Sequence, residues 1–216
     1  LAPLILLGLE RLVKENKPFL YCVTLGLAIL TNYYISIMLC LFLVLYFICL
    51  VILLPKQSLR QYLIKIGNFA LFSLIAGGLA AVLLVPAAYA LMTTASADTT
   101  FPSAMTSYFS IVEMLARHLV DVEVEIGLDH WPNLYSGILV FLFLPMYYMN
   151  SKVSYKEKIV KTILLFVLLL SFSLNIPNYI WHGFHFPNSL PARQSFLYTI
   201  ILLVMCFEGF QGFSSL

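Results

Sequence analysis

Between Pro18 and Leu54 not one side chain is charged. A single helix of about 37 residues would be roughly 55 Å long, against a hydrocarbon layer of roughly 30 Å. The stretch is too long for one membrane crossing and fits two. Composition agrees, since 62% of the chain is hydrophobic and only 10% charged, against about 45–50% and about 25% in soluble domains. The break between the two helices falls at Thr31-Asn32-Tyr33-Tyr34, where an amide and two interface-favouring rings interrupt the aliphatic run.

The same length rule carries along the chain. Apolar stretches near 18–34, 35–54, 66–92, 134–150, 159–175 and 195–212 are each long enough to cross if tilt or local thinning is allowed. The expected fold is an all-α polytopic transmembrane bundle of about six crossings, one domain, with a loop over 93–131 and an irregular segment over 176–194. Leu1 to Leu9 is too short to cross and runs into Arg11, Lys14 and Lys17. It reads as the inner end of a truncated helix, and the chain, which opens Leu1-Ala2-Pro3, as an internal piece of a longer protein. Pro86, with Gly77-Gly78 nearby, predicts a kink or a close helix contact in the third crossing.

Orientation follows from lysine and arginine, which accumulate in short loops on the cytoplasmic side. All but Arg117 and Arg193 fall into three groups, at residues 11–17, 56–65 and 152–161, each separated from the next by two crossings. Those groups are expected inside, which places the acidic stretch from Thr93 to Trp131 outside. A net charge of +2 leaves no basic surface for nucleic acid. Cys22, Cys40, Cys49 and Cys206 all lie in apolar runs and read as small buried side chains with no disulfide framework. No P-loop, GxGxxG, GxSxG or HExxH pattern occurs, so nucleotide hydrolysis, dinucleotide redox chemistry and zinc proteolysis have no support.

The remaining chemistry collects on the outer side. Residues 129–137 and 175–188 are too rich in proline, asparagine and aromatic rings for plain helix, and irregular backbone near a bilayer must be covered by protein or line a wet cavity. Such a cavity suits a polar headgroup. Asp129-His130 is a candidate acid-base pair, because a carboxylate beside an imidazole orients it and raises its basicity. Trp131, Tyr179, Trp181 and Phe184 read first as an interfacial aromatic belt. His182 and His185 lack a third ligand at a recognisable spacing, so no metal is assigned. The run Asp121 to Glu125 reads as a solvated loop, and Glu208, deep in the last crossing, is expected to pair with a neighbour.

Three stretches resemble the bacterial YfhO-type membrane proteins: 31–38, beginning Thr31-Asn32-Tyr33-Tyr34; Pro132-Asn133-Leu134-Tyr135-Ser136-Gly137; and Trp181-His182-Gly183-Phe184-His185-Phe186-Pro187-Asn188, with Pro191-Ala192-Arg193-Gln194-Ser195-Phe196. The resemblance implies a GT-C-type glycosyltransferase of the bacterial cytoplasmic membrane. Such an enzyme takes a sugar from a polyprenyl-phosphate carrier and adds it, on the outer face, to a cell-envelope polymer such as a teichoic acid. It implies that Arg193 holds the phosphate, that His182, His185 and Asn188 meet phosphate or sugar hydroxyls, and that Trp181 or Tyr135 lies against the sugar, with Asn133 a further substrate-binding candidate. The general base is then expected upstream, in the first outer loop, and residues 1–216 alone are expected to be inactive. A divalent metal is left open. The rival reading is a carrier or flippase for a lipid-linked or anionic solute, which broken helices at midplane depth and an inverted repeat would favour; the sequence shows no such repeat, and its polar residues fall at the outer rim. A structural scaffold comes third.

The charge pattern makes a direct prediction. With the native cysteines replaced, a cysteine at Ser189 reacts with a membrane-impermeant thiol reagent in intact cells and one at Lys56 does not; labelling at Lys56 reverses the topology.

Overall fold

The computed structural model describes residues 1–93, 101–124, 126–127, 131–187 and 189–213. It is all-helical, with no strand among the described residues and one isolated bridge, Ser107 to Leu174. Its contacts divide into two compact units, Leu1–Thr100 and Phe101–Leu216.

The first unit contains α1 (Ala2–Glu15), α2 (Phe19–Thr31), α3 (Tyr33–Leu53), α4 (Leu59–Leu79) and α5 (Ala81–Met92). The turn between α2 and α3 is the single residue Asn32. Its extended backbone ends one helix and its side-chain Oδ1 accepts from Ile35 N at 3.1 Å to cap the next, the arrangement that makes asparagine a favoured N-cap. The opening segment is one helix through its charged end. Ile5, Leu9 and Leu12 are buried on one face against α2, α3 and α4, and Asn16 terminates it in the left-handed region at φ 58°. Gly8 permits the approach to α2, since a Cβ there would lie 2.6 Å from Tyr21 N. Lys65 Nζ donates to Val13 O at 2.5 Å and Asn68 Nδ2 to Asn16 Oδ1 at 2.7 Å, so the first two basic groups share one end of this unit.

The third apolar run starts earlier than its hydropathy suggests. A capping box of Ser58 and Gln61 begins α4 at Leu59, and Arg60 and Lys65 are carried within the helix. Between the glycine pair and Pro86 the helix opens at Ala80, whose N–H reaches Ala76 O and Gly77 O. Pro86 removes the N–H that would bond Val82 O, and Gly77-Gly78 weaken the preceding turn. Of the kink or close contact expected there, the structure shows the break in the helix: among the described residues a Cβ at either glycine meets nothing within 4 Å, whereas Gly26 on α2 faces Ala76 O at 3.4 Å.

The second unit contains α6 (Ile111–Leu115) continued by a 3₁₀ turn (Ala116–His118), then α7 (Val140–Met149), α8 (Tyr155–Ser173), α9 (Asn175–Trp181) and α10 (Ser195–Phe213). α10 packs along α7 and against α8. At one end Lys161 Nζ lies 2.6 Å from Glu208 Oε1 and 2.8 Å from Glu157 Oε1, and Lys158 Nζ donates to Tyr148 O. Glu208 is therefore paired, as its depth in an apolar helix requires. The other end carries the non-helical segments; we call these the lysine end and the loop end. Helix α7 is shorter than its apolar run, because residues 131–137 are irregular and Gly137 turns at φ 96°. Tyr33–Leu53, Leu59–Leu79 and Ser195–Gly212 are long and apolar enough to cross a membrane, and Phe19–Thr31, Ala81–Met92 and Val140–Met149 are shorter apolar helices.

Two glycines should behave oppositely. A Cβ at Gly209 would stand 2.5 Å from Phe143 O and 2.7 Å from Tyr147 N, both backbone atoms, while one at Gly77 meets nothing. In detergent-solubilised protein, Gly209→Ala lowers the thermal midpoint by the equivalent of about 1–3 kcal/mol, and Gly77→Ala leaves it unchanged or raises it.

Candidate functional site

Among the described residues of the second unit, the buried Tyr147 hydroxyl lies at the lysine end, and the buried histidine, serine, asparagine and glutamine side chains lie at the loop end: His118, Ser171, Ser173, Asn175, Asn178, His182 and Gln194. They are there because a helix has been interrupted. At Leu174 the backbone turns extended between α8 and α9, freeing polar groups that must find partners away from water. The 104–109 segment supplies them. Tyr108 N donates to Ser173 O (2.8 Å), Asn175 N to Thr106 O (3.0 Å) and Thr106 N to Asn175 Oδ1 (2.8 Å), while Asn175 Nδ2 reaches Ala104 O at 2.9 Å. Ser107 and Ser173 meet at 2.9 Å through their hydroxyls, and Ser173 Oγ also donates to Phe109 O.

A second set of bonds ties the loop to α10. Arg117 donates to Pro132 O at 3.0 Å, Glu123 O at 2.9 Å and Asn133 Oδ1 at 3.1 Å. Beside it, His118 Nδ1 faces Leu115 O; a carbonyl only accepts, so Nδ1 carries the hydrogen and Nε2 accepts from Tyr198 Oη at 3.0 Å. Ser136 Oγ lies 3.3 Å from Thr199 Oγ1. Phe109 stacks on Trp131 with ring centroids 4.4 Å apart, and Tyr179 packs against Phe101, Phe184 and Phe186. Burial lowers the pKa of His118, against an opposing pull from the carbonyls of Leu115 and Met114. Glu113 is held below the usual carboxylate range by its bonds to the backbone and hydroxyl of Ser110, its capping partner.

The residues singled out in the sequence are distributed over this end. Trp181 and His182 are buried, with His182 Nδ1 2.8 Å from Asn178 O. Asn133 is engaged by Arg117, Tyr135 is exposed and His185 half-buried. Arg193 folds back on its own turn, with Nε 3.3 Å from Leu190 O and Nη2 3.2 Å from Ser189 O. It precedes α10 by two residues, in a turn that begins at Pro191. Leu190 and Ala192, both at φ 51°, shape that turn, and Phe184 is at φ 63°; such conformations cost about 1–3 kcal/mol each and need firm surroundings. Asp129, His130 and Asn188 lie outside the described residues. The 175–188 stretch also differs from the expectation in one respect, since its first seven residues form α9. No group of three His, Cys, Asp or Glu side chains is gathered among the described residues.

Arg117, His118, Ser173, Asn175 and Asn178 had drawn no site assignment. Only one local signal for this assembly was readable beforehand, the Ser110-x-x-Glu113 capping box that starts α6. The pairing of 104–109 with 173–175 joins residues more than sixty positions apart and leaves no local mark.

The family described as "Bacterial membrane protein YfhO" matches residues 1–216, the whole chain. The chain belongs to the YfhO family. It is thus a bacterial membrane protein, consistent with its apolar helices, and the resemblance carried by its asparagine-, proline- and histidine-rich stretches is the right one. No curated protein and no solved structure matches this YfhO-family chain.

The buried imidazole makes docking of the 111–118 segment depend on pH. An undocked His118 titrates near about 6.5, and the docked one lower, so docking is favoured above that pH and lost as pH falls through and below it. Hydrogen exchange of residues 111–118, corrected for intrinsic rates, should accelerate on acidification in the wild type. His118→Phe should abolish that dependence; an unchanged pH response in the variant refutes the role.

Proposed function

We propose that this YfhO-family protein works as a GT-C-type glycosyltransferase. In this reading it moves a sugar from a polyprenyl-phosphate carrier to a cell-envelope acceptor, such as a teichoic acid, with its site at the loop end facing out of the cell. The observation that carries the reading is the placement of polar groups. In the second unit the buried amide, imidazole and serine side chains gather where helices end and irregular backbone begins, which suits the headgroup of a lipid whose tail stays among the helices. A carrier instead holds its solute near the midplane.

Within that cluster Asn178 is fully buried, and among the described residues neither Nδ2 nor Oδ1 has a hydrogen-bond partner; Gln194 Oε1 is likewise unpartnered there. An unmet buried amide costs about 1–3 kcal/mol. Its two donors and one acceptor match sugar hydroxyls, which both donate and accept. Arg193 brings a guanidinium to a turn just before α10, where the first amides of the helix also favour an anion. In the transfer, an acceptor hydroxyl attacks the anomeric carbon and loses its proton to a base. The bond from that carbon to the phosphate oxygen breaks, and polyprenyl phosphate leaves with the electron pair. Asp129 and His130 are the candidates for the base within this stretch.

The test uses the full-length natural protein in proteoliposomes, supplied with a radiolabelled polyprenyl-phosphate sugar and a lipid-anchored polyglycerol-phosphate acceptor. Wild type labels the acceptor. At limiting donor, Arg193→Lys loses transfer and Arg193→Ala loses more, because the bidentate fork goes first and then the charge. Asn178→Ala lowers transfer by about 10-fold to 100-fold, the rate equivalent of a substrate hydrogen bond. Absence of any labelling by wild type with a panel of donor sugars, or wild-type rates in all three variants, overturns the proposal.

A further inference from the structure

The segment from residue 111 to 120 is an α-helical turn over 111–115, a 3₁₀ turn over 116–118 and extended backbone at Leu119. Met114 and His118 are buried. Glu113 bonds Ser110, and Arg117 bonds Pro132 and Glu123. Val112, Leu115, Leu119 and Val120 are 76%, 53%, 48% and 56% exposed. A solvated loop gains nothing by turning so many large aliphatic side chains outward in so short a stretch. A segment lying in a membrane interface does, because its buried, charged and aliphatic side chains then each meet their own medium: protein, water and the acyl edge.

Depth is given by what the segment holds. The apolar span of α10 runs from Ser195 to Gly212, roughly 27 Å of helix against roughly 30 Å of hydrocarbon, so its first turn stands at the hydrocarbon boundary. His118 bonds Tyr198 in that turn. Arg117 bonds Pro132 and Asn133, and from there the chain continues through exposed Ile138 and Leu139 into the exposed Phe141 and Leu142 of α7. The outward aliphatic side chains are thus set at the height where the apolar surface of the spanning helices begins. Glu113, Asp121 and Glu123 nearby disfavour an anionic headgroup as the attraction, leaving the hydrocarbon itself.

We propose that residues 111–120 form an interfacial anchor, lying in the membrane plane at the loop end of the second unit with Val112, Leu115 and Leu119 set into the acyl edge of the lipid. The anchor stands independently of sugar transfer. It gives the loop a second hold besides its bonds to α10 and keeps the buried polar cluster at a constant depth relative to any lipid-borne group.

The experiment uses the full-length protein with its native cysteines replaced, reconstituted in phosphatidylethanolamine and phosphatidylglycerol vesicles. Single cysteines, Val112→Cys, Leu115→Cys, Leu119→Cys and Glu113→Cys, are each labelled with the environment-sensitive fluorophore NBD. The labels at 112, 115 and 119 should emit to the blue of the label at 113, be quenched several-fold more by acyl-brominated lipid, and resist aqueous iodide. The label at 113 should show the reverse. Iodide quenching of the three aliphatic positions equal to that at 113 means a solvated loop and overturns the anchor. Protection from both quenchers means that protein covers these positions, and overturns it as well. Three independent positions keep the result readable if one variant fails to remain monodisperse.

Discussion

A polypeptide that leaves its helix at the edge of a bilayer must find partners for every N–H and C=O it frees, because hydrocarbon provides none. In the second unit that demand arises at Leu174, where α8 gives way to α9. The 104–109 segment answers it with backbone bonds to Ser173 and Asn175, reinforced by the Ser107 and Ser173 hydroxyls and the Asn175 carboxamide. Once those residues are fixed, Phe109 is placed to stack on Trp131, α6 packs on α8, and the 3₁₀ turn that follows brings His118 to Tyr198 of α10. The order of the loop end thus descends from one interrupted helix.

The opposite end solves a different problem with charge. Lys161 is 12% exposed and Glu208 26%, and they meet at 2.6 Å with Glu157 on the far side of the lysine. Three ionised groups from two helices hold one another where isolated charge would be costly, and Gly209, one residue beyond Glu208, lets α10 come against the backbone of α7. The helices are therefore clamped by ions and close packing at one end and by polar networks at the other. Such a scaffold holds a site on rigid elements, which is what positioning of reacting groups demands.

In the proposed transferase, the buried carboxamides matter more than the exposed charges. Asn178 and Gln194 carry polar atoms that the described residues around them do not satisfy, whereas Arg117, the other cation of the loop end, is consumed in holding the loop. Arg117 is a structural guanidinium, and Arg193 donates to Leu190 O and Ser189 O. The transferase reading therefore rests on recognition of hydroxyls as much as on capture of a phosphate.

Much of this was legible beforehand, and the reason is local physics. The uncharged run from Pro18 to Leu54 dictates two helices whatever surrounds it, and Asn32 marks their junction because its side chain can cap the helix that follows. The proline- and asparagine-rich stretches announce that they are not plain helix, and they also carry the likeness to the YfhO family. What sequence alone leaves open is every feature that depends on a distant partner. The break at Leu174 and the helical turns of α9 that follow it depend on bonds to the 104–109 segment. His118 becomes a buried latch only because Tyr198, eighty residues on, stands opposite it. Hydropathy and spacing report what a residue prefers; which of several polar groups is left without a partner is decided only when the helices pack.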